Sequence, residues 1–335
     1  MRGGLCRAFF CVLAWLAITG GMSAAQQTQL DRPVVHQSLD DAWWTGPMLA
    51  PSAATLPRGH FLVEPYLYNV MVQGRFDQDG VRQSAPHENG FGSLTYMLYG
   101  LTNGLTVGLI PTGGYNQVSD GQSSSGVGMG DLTVQGQYRL TQFREGGRIP
   151  TMSVAFQETL PTGKYDQLGS HLSDGMGSGA YTTTLALYSQ TYFWLPNHRI
   201  LRMRFDVAQS FSNDVKVRDT SVYGTSAGFR GNAKPGNSLF VDLSSEYSVT
   251  RRWVLALDTT YRHNANTRVS GNNILVPSAA PIRFNSGSSD AFGLAPAVEY
   301  SWRRNIGILL GTRVIVAGHK TAATITPAIA INYVH

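Results

Sequence analysis

The chain has 335 residues, of which 42% are hydrophobic and only 14% charged, with a formal net charge of +5. Beyond the N-terminal leader no eighteen apolar residues follow one another, which excludes a helical membrane protein. The small positive charge argues against a nucleic-acid partner.

In chain order, the first element is a secretory signal. Arg2 and Arg7 give a basic start, "AFFCVLAWLAI" (8–18) is a short apolar core, and Ser23 and Ala25 are small, which predicts residues 1–25 as a signal peptide cleaved after Ala25. Both cysteines, Cys6 and Cys11, fall in this leader, so the mature chain carries no disulfide and needs another source of rigidity. Its charge is about +3 once Arg2 and Arg7 are gone. Residues 26–58 contain "DDAWWTGPMLAPSAATLPRG", rich in Pro and Ala and without a sustained period. They read as an irregular extension with a short helical turn near Trp43 and Trp44.

From residue 59 onward the period is two. "DLTVQGQYRL" (131–140) alternates Leu132, Val134, Gly136, Tyr138 and Leu140 with polar neighbours, and "WVLALDTTYR" alternates Trp253, Leu255, Leu257 and Tyr261 with Ala256, Asp258 and Arg262. The connections alternate short and long. Short ones are 101–104, 141–147, 195–198, 249–252 and 303–305; long ones are 74–89, 114–128, 162–177, 212–236 and 263–289, with one more short link near 318–322. Twelve strands are predicted between them, near 60–73, 90–101, 104–113, 129–140, 149–161, 178–193, 200–211, 237–248, 253–263, 290–302, 306–317 and 323–335. The segment 215–230 reads as an extension of its neighbouring strands.

Aromatic residues flank the short turns: Tyr99, Tyr138, Trp194, Tyr247, Trp253, Tyr300, Trp302 and, at the chain end, Tyr333. This recurrence predicts a girdle at a membrane–water boundary. Strands of roughly 10–13 residues, tilted about 40°, stand roughly 25–33 Å tall. That matches an apolar band of about 25 Å. The opposite face carries Asp131, Arg139, Arg202, Arg204, Asp206, Asp242, Glu246, Asp258, Arg262, Glu299 and Arg313, more charge than a dry core tolerates. The expected fold is all-β: a single transmembrane antiparallel up-and-down β-barrel over residues 59–335, apolar face to outer-membrane lipid and charged face to a water-filled lumen. Closure satisfies both sheet edges in lipid. A barrel of this size has a backbone radius on the order of 12 Å and a free bore of about 10 Å. Glu158 and Pro327 fall on the apolar register and are exceptions to it.

The stretches "YGLTNGLTVGLIPTGG", "GVGMGDLTVQGQYRL", "QETLPTGKYD" and "YSVTRRWVLALD" resemble the outer-membrane barrels grouped as the meta-pathway of phenol degradation. The resemblance covers most of residues 60–335 and implies an outer-membrane barrel that transports small organic compounds, aromatic ones among them. The chain departs from outer-membrane barrels in ending on His335 instead of Phe, while Tyr333, Ile331 and Ile329 keep the pattern.

The expected function is a passive, porin-like channel of the bacterial outer membrane for small-molecule solutes, with no enzymatic activity, cofactor or metal, inserted by the barrel-assembly machinery. The eight His residues form no pair at metal-ligand spacing, and the Gly-rich "GVGMGD" does not open a helix as a phosphate loop would. Two other readings stand beside it: a closed structural barrel presenting its loops to partners, and an outer-membrane hydrolase built on His263 with a serine such as Ser210. The lumen charges read as a solvated wall or as a constriction with a transverse field. The extension reads as a lumen plug, with Trp43 and Trp44 packed on the wall, or as a periplasmic tail.

Overall fold

Period-two sequence with Gly- and Asn-rich turns makes consecutive antiparallel hairpins, and twelve of these strands close on themselves. In a computed structural model describing residues 36–119, 121–276 and 280–335, they are β1 (Phe61–Phe76), β2 (Glu88–Thr102), β3 (Leu105–Ile110, resuming after Pro111 as Thr112–Val118), β4 (Leu132–Thr141), β5 (Thr151–Leu160), β6 (Thr182–Trp194), β7 (Ile200–Ser212), β8 (Ser238–Ser248), β9 (Trp253–Asn264), β10 (Ser289–Arg303), β11 (Ile306–His319) and β12 (Thr321–Val334). Each pairs with the next, and β1 pairs both with β2 and with β12, so the sheet is a closed barrel without a free edge. The signal peptide, its cleavage after Ala25 and residues 26–35 lie outside the described residues.

The outward face is apolar along every strand. On β9, Trp253, Leu255 and Leu257 are exposed while Val254, Ala256 and Asp258 are buried between them. At the tight-turn end the outward aromatics cluster: Trp253 lies 4.6 Å from Tyr300, and Tyr300 lies 5.7 Å from Trp302. Tyr99, Tyr138, Tyr247 and Tyr333 share that level and face. Trp194 does not. It stands on the inward register of β6 with Tyr188 and Gln190, and its indole N–H donates to the carbonyl of Gln37 at 2.7 Å; Phe193 takes the outward place, about half exposed. A second belt lies at the loop end, where Tyr261 packs 4.8 Å from Phe292 and Phe91, Tyr181 and Phe211 are exposed. The two belts are eight residues apart on β9, roughly 20 Å of barrel height.

The exceptions have physical reasons. Glu158 is on the outward face near the loop rim, where the hydroxyl of its cross-strand partner Thr183 donates to it at 2.7 Å. Pro327 lacks an N–H, and the β1–β12 ladder skips residues 326–327 while β11 still pairs there. His335 extends the closing ladder: it exchanges both backbone hydrogen bonds with Phe61, and its ring stacks 5.3 Å from that phenyl.

Several boundaries differ from the sequence reading. Strand β3 continues to Val118, so that 114–118 is strand where the sequence reads as loop. The helical turn is a single 3-10 turn at Leu39–Asp41, just before the two tryptophans. The segment 215–230 does not lengthen β7 or β8. Val215–Arg218 and Phe229–Lys234 join Arg268–Asn273 and Ile282–Asn285 in a separate four-stranded sheet built from two long loops.

Candidate functional site in the barrel lumen

Inward positions of β7 to β10 supply a buried charged wall. Arg202 Nε donates to Glu246 Oε2 at 2.6 Å, and its second nitrogen donates to Oε1, making a bidentate pair. Arg204 Nε reaches the same carboxylate at 3.0 Å. Asp206 and Asp242 are direct cross-strand neighbours, and Asp242, Asp258, Glu246 and Glu299 are fully buried.

What buries them is the N-terminal extension, so this half of the lumen is not water-filled as the alternation suggested. The extension crosses the tight-turn rim, dips into the barrel and returns to β1. Trp43 N–H donates to the Arg251 carbonyl in the turn between β8 and β9, and Trp44 lies under the Arg202 guanidinium at 4.3 Å. Glu299 Oε2 receives Thr45 N–H and Gly46 N–H at 2.7 and 3.0 Å. Asp258 Oδ2 receives Met48 N–H and Leu49 N–H at 3.0 and 3.3 Å. Arg204 donates to the Ala50 carbonyl at 2.8 Å, and Gln137 on β4 to the Ser52 carbonyl at 2.8 Å. Thr106 on β3 accepts Leu56 N–H at 2.8 Å. A Pro-containing segment cannot satisfy its backbone by regular pairing, so the wall supplies charged partners instead. Such bonds contribute about 1.5–3 kcal/mol each.

Small inward residues make room for it. Met48 packs on Ala256, Ala295, Ala297, Ala328 and Ala330, and Ala53 packs on Ala155 and Ala186. A side chain on Gly100 would overlap the Pro57 carbonyl, and one on Gly307 would overlap Thr45.

The opposite wall is largely apolar. Between Glu64 near the tight turns and Glu88 near the loops, inward positions of β1 and β2 are Tyr66, Tyr68, Val70 and Val72, and Leu94, Tyr96 and Leu98. Three cavities run along it. One of about 560 Å³ at the loop end is lined by Tyr68, Val70, Gly90, Gly92, Leu172 and Met176. The next, about 290 Å³, shares Tyr68 and Val70 and adds Leu94, Tyr96, Met48, Leu49 and Arg313. The third, about 270 Å³, shares Met48, Leu49, Tyr66 and Tyr96 and opens towards Leu62, Glu64 and Val334 near the tight-turn end. They form one lane, narrowed where Met48 and Leu49 meet Tyr66 and Tyr96.

The predicted lumen residues therefore separate into groups. Arg202, Arg204, Asp206, Asp242, Glu246, Asp258 and Glu299 are buried together beside the extension. Arg313 lines the middle cavity. Arg262 lies nearer the loop end, 4.7 Å over the Phe240 ring. Arg139 is half-buried near the tight turns. Asp131 is not a mid-lumen group: at the loop rim its carboxylate accepts the backbone N–H groups of Gly163 and Ser178 at 3.0 and 2.7 Å. The sequence reading missed the aromatic lane. Its signal was present in β1, "FLVEPYLYNVMV", whose inward register of Leu62, Glu64, Tyr66, Tyr68, Val70 and Val72 holds a single charged residue and breaks the polar-in rule of the other strands. Ser210 and His263 stand on opposite faces of the wall. Ser210 faces inward with Thr184 at 2.8 Å, and His263 faces outward on Asp290 at 2.8 Å. No group of three or more His, Cys, Asp or Glu among the described residues could hold a metal ion.

The family model described as "Putative MetA-pathway of phenol degradation" matches residues 67–324. No curated protein is detectably similar. Among solved structures, an outer membrane channel from Pseudomonas putida F1 superimposes with a TM-score of 0.65 at 14% identity, covering 86% of this chain and 100% of that one. The NanC porin gives 0.45 at 9% identity, over 81% and 98% of the two chains.

Proposed function

Because the chain belongs to the family of the MetA-pathway of phenol degradation, we propose that it is a passive outer-membrane channel for small organic molecules, closed at rest by its own N-terminal segment. The observation that carries this reading is the lane of three cavities along β1 and β2. Its middle cavity is walled by Tyr66, Tyr68, Val70, Leu94 and Tyr96, with Arg313 as the cation beside it, while its ends carry polar groups: Glu88 and Asn116 at the loop end, Glu64, Gln137, Arg202 and Arg204 towards the tight turns. A single substituted aromatic ring suits it: the ring packs on Tyr68, Leu94 and Tyr96, and a polar substituent faces Arg313. An aromatic pair is worth about 0.5–1.5 kcal/mol beyond area burial, enough to favour passage without trapping the solute.

The buried charges then have a different role from a solvated wall. They hold the extension, through Glu299, Asp258 and Arg204, and leave Arg313 as the charged group lining the middle cavity. Lipid surrounds the two aromatic belts, and the barrel-assembly machinery is the partner in biogenesis. The opposed orientations of Ser210 and His263 weigh against the hydrolase reading.

Liposome swelling with sugars, monoaromatic acids and fatty acids, together with planar-bilayer conductance of the full chain and of a chain lacking residues 26–58, tests the proposal. Faster uptake of aromatics than of sugars, and higher conductance after the deletion, are expected. A barrel that stays silent in both forms overturns it.

A further inference from the structure

The loop sheet of Val215–Arg218, Phe229–Lys234, Arg268–Asn273 and Ile282–Asn285 has two unlike faces. One is apolar: Val215, Val217, Phe229, Ala233 and Val269 are buried against Ala180, Tyr165 and Tyr223. The other is exposed, and it carries Lys216, Arg218, Arg230, Lys234, Arg268 and Arg283. Asn232, Ser270, Asn272 and Asn285 fill its remaining positions, so no acidic side chain stands on it.

The register sharpens this. Arg218 is directly opposite Arg230, and Lys234 directly opposite Arg268; like charges at such positions destabilise a sheet. Relief from within is small. Asp219 pairs with Arg230 at 2.9 Å and Asp214 approaches Lys234 only to 3.9 Å, while Lys216, Arg218, Arg268 and Arg283 make no salt bridge among the described residues. Beside this face the turn Ile274, Leu275 and Val276 is 53%, 69% and 52% exposed. Clustered cations next to an apolar tip match an anionic amphiphile in charge and in hydropathy.

We infer that this face docks on the phosphate-bearing headgroups of the glycolipid leaflet at the loop end of the barrel. The cations contact phosphate, and Ile274, Leu275 and Val276 rest on the acyl boundary. The occupant is lipid and not a free anion, because the apolar tip gives a soluble phosphate nothing to bind. The inference rests on the membrane reading, which fails separately if the native protein stays monodisperse without detergent.

The experiment titrates the detergent-solubilised full chain with fluorescent bis-phosphorylated lipid A, with its dephosphorylated form, and with inorganic pyrophosphate as competitor. Binding of the phosphorylated lipid alone is expected, weakly displaced by pyrophosphate and weakened as salt rises from about 50 to 500 mM. The triple variant R218Q/R268Q/R283Q should lose roughly a hundred-fold in affinity. The control R144Q/R148Q, which removes charge at the tight-turn end, should lose none. Equal binding of the dephosphorylated lipid, full competition by pyrophosphate, or an unchanged triple variant overturns the inference. So does a fall in anionic-solute flux with lipid binding intact, which makes the face a funnel. If the triple variant does not fold, salt-insensitive binding by the native chain overturns it.

Discussion

Glu299 accepts both the backbone N–H and the side-chain hydroxyl of Thr45, at 2.7 and 2.9 Å, through a single carboxylate oxygen. A strand residue one position inside the tight-turn aromatic belt is thereby tied to a segment that precedes the barrel in sequence. With Asp258, which lies on β9 across from Ala295 and so four residues further into the barrel, it makes the wall a receptor for main chain.

Removing those acceptors should therefore open the channel before it unfolds the barrel. For D258A/E299A we expect the extension to lose about 3–6 kcal/mol of docking energy, taking about 1.5–3 kcal/mol for each charged hydrogen-bonding group. Planar-bilayer recordings should show a higher open fraction, and protease applied from the tight-turn side should clip residues 36–58 while the strands stay resistant.

Gly307→Val tests the same contact sterically. An added side chain overlaps Thr45 of the extension, whereas a β-branched residue suits a strand. The expected result is increased conductance with normal barrel migration on gels. Unchanged conductance would mean that the extension does not limit flow.

The neck of the lane is set by Tyr66 and Tyr96, whose rings meet edge-on with centroids 6.0 Å apart. Tyr96→Ala should widen it, raise swelling rates for bulky solutes and reduce the preference for single rings by about 0.5–1.5 kcal/mol, roughly twofold to tenfold. Swelling rates for a series of aromatic acids of increasing width measure this.

On the outer face, Leu257 is exposed at mid-height of β9. Leu257→Arg should destabilise the folded barrel by about 2–4 kcal/mol in a bilayer. The same substitution in a barrel free of lipid would be nearly neutral, so refolding titrations in vesicles distinguish the two environments.

The loops carry a pH-sensitive clasp. Asp174 accepts the backbone N–H and the hydroxyl of Ser125 at 2.7 and 2.8 Å, and these bonds hold its carboxyl below the ordinary value of 3.8. A carboxyl depressed in the folded state contributes stability above its unfolded value and loses it as pH falls from about 3.8 through the folded value. The Ser125 amide should thus lose hydrogen-exchange protection below pH of about 4, while strand amides keep theirs. Asp174→Asn should remove the pH dependence.

The wall of this protein was legible in its sequence because alternation is a local property. Each residue in "WVLALDTTYR" is assigned a face by its two neighbours, and tight turns between such runs leave antiparallel closure as the arrangement that pairs every edge. Ten of the eleven charged positions could be placed on the inward register of a strand for the same reason, Asp131 standing at the loop rim, and Glu158 and Pro327 could be flagged as exceptions. Trp194 was misassigned because proximity to a turn does not encode parity: it is one residue from the outward Phe193.

What only the tertiary structure decided is non-local. Whether a buried carboxylate faces water or a backbone N–H depends on residues far away in sequence, as with Thr45 and Glu299. The pairing of Phe229–Lys234 with Arg268–Asn273 depends on two loops meeting above the barrel, which neither loop encodes alone. The apolar lane exists because β1 and β2 are neighbours of each other and of the extension at once. Strand period fixes which side chains point inward; only the closed, filled cylinder determines what they meet there.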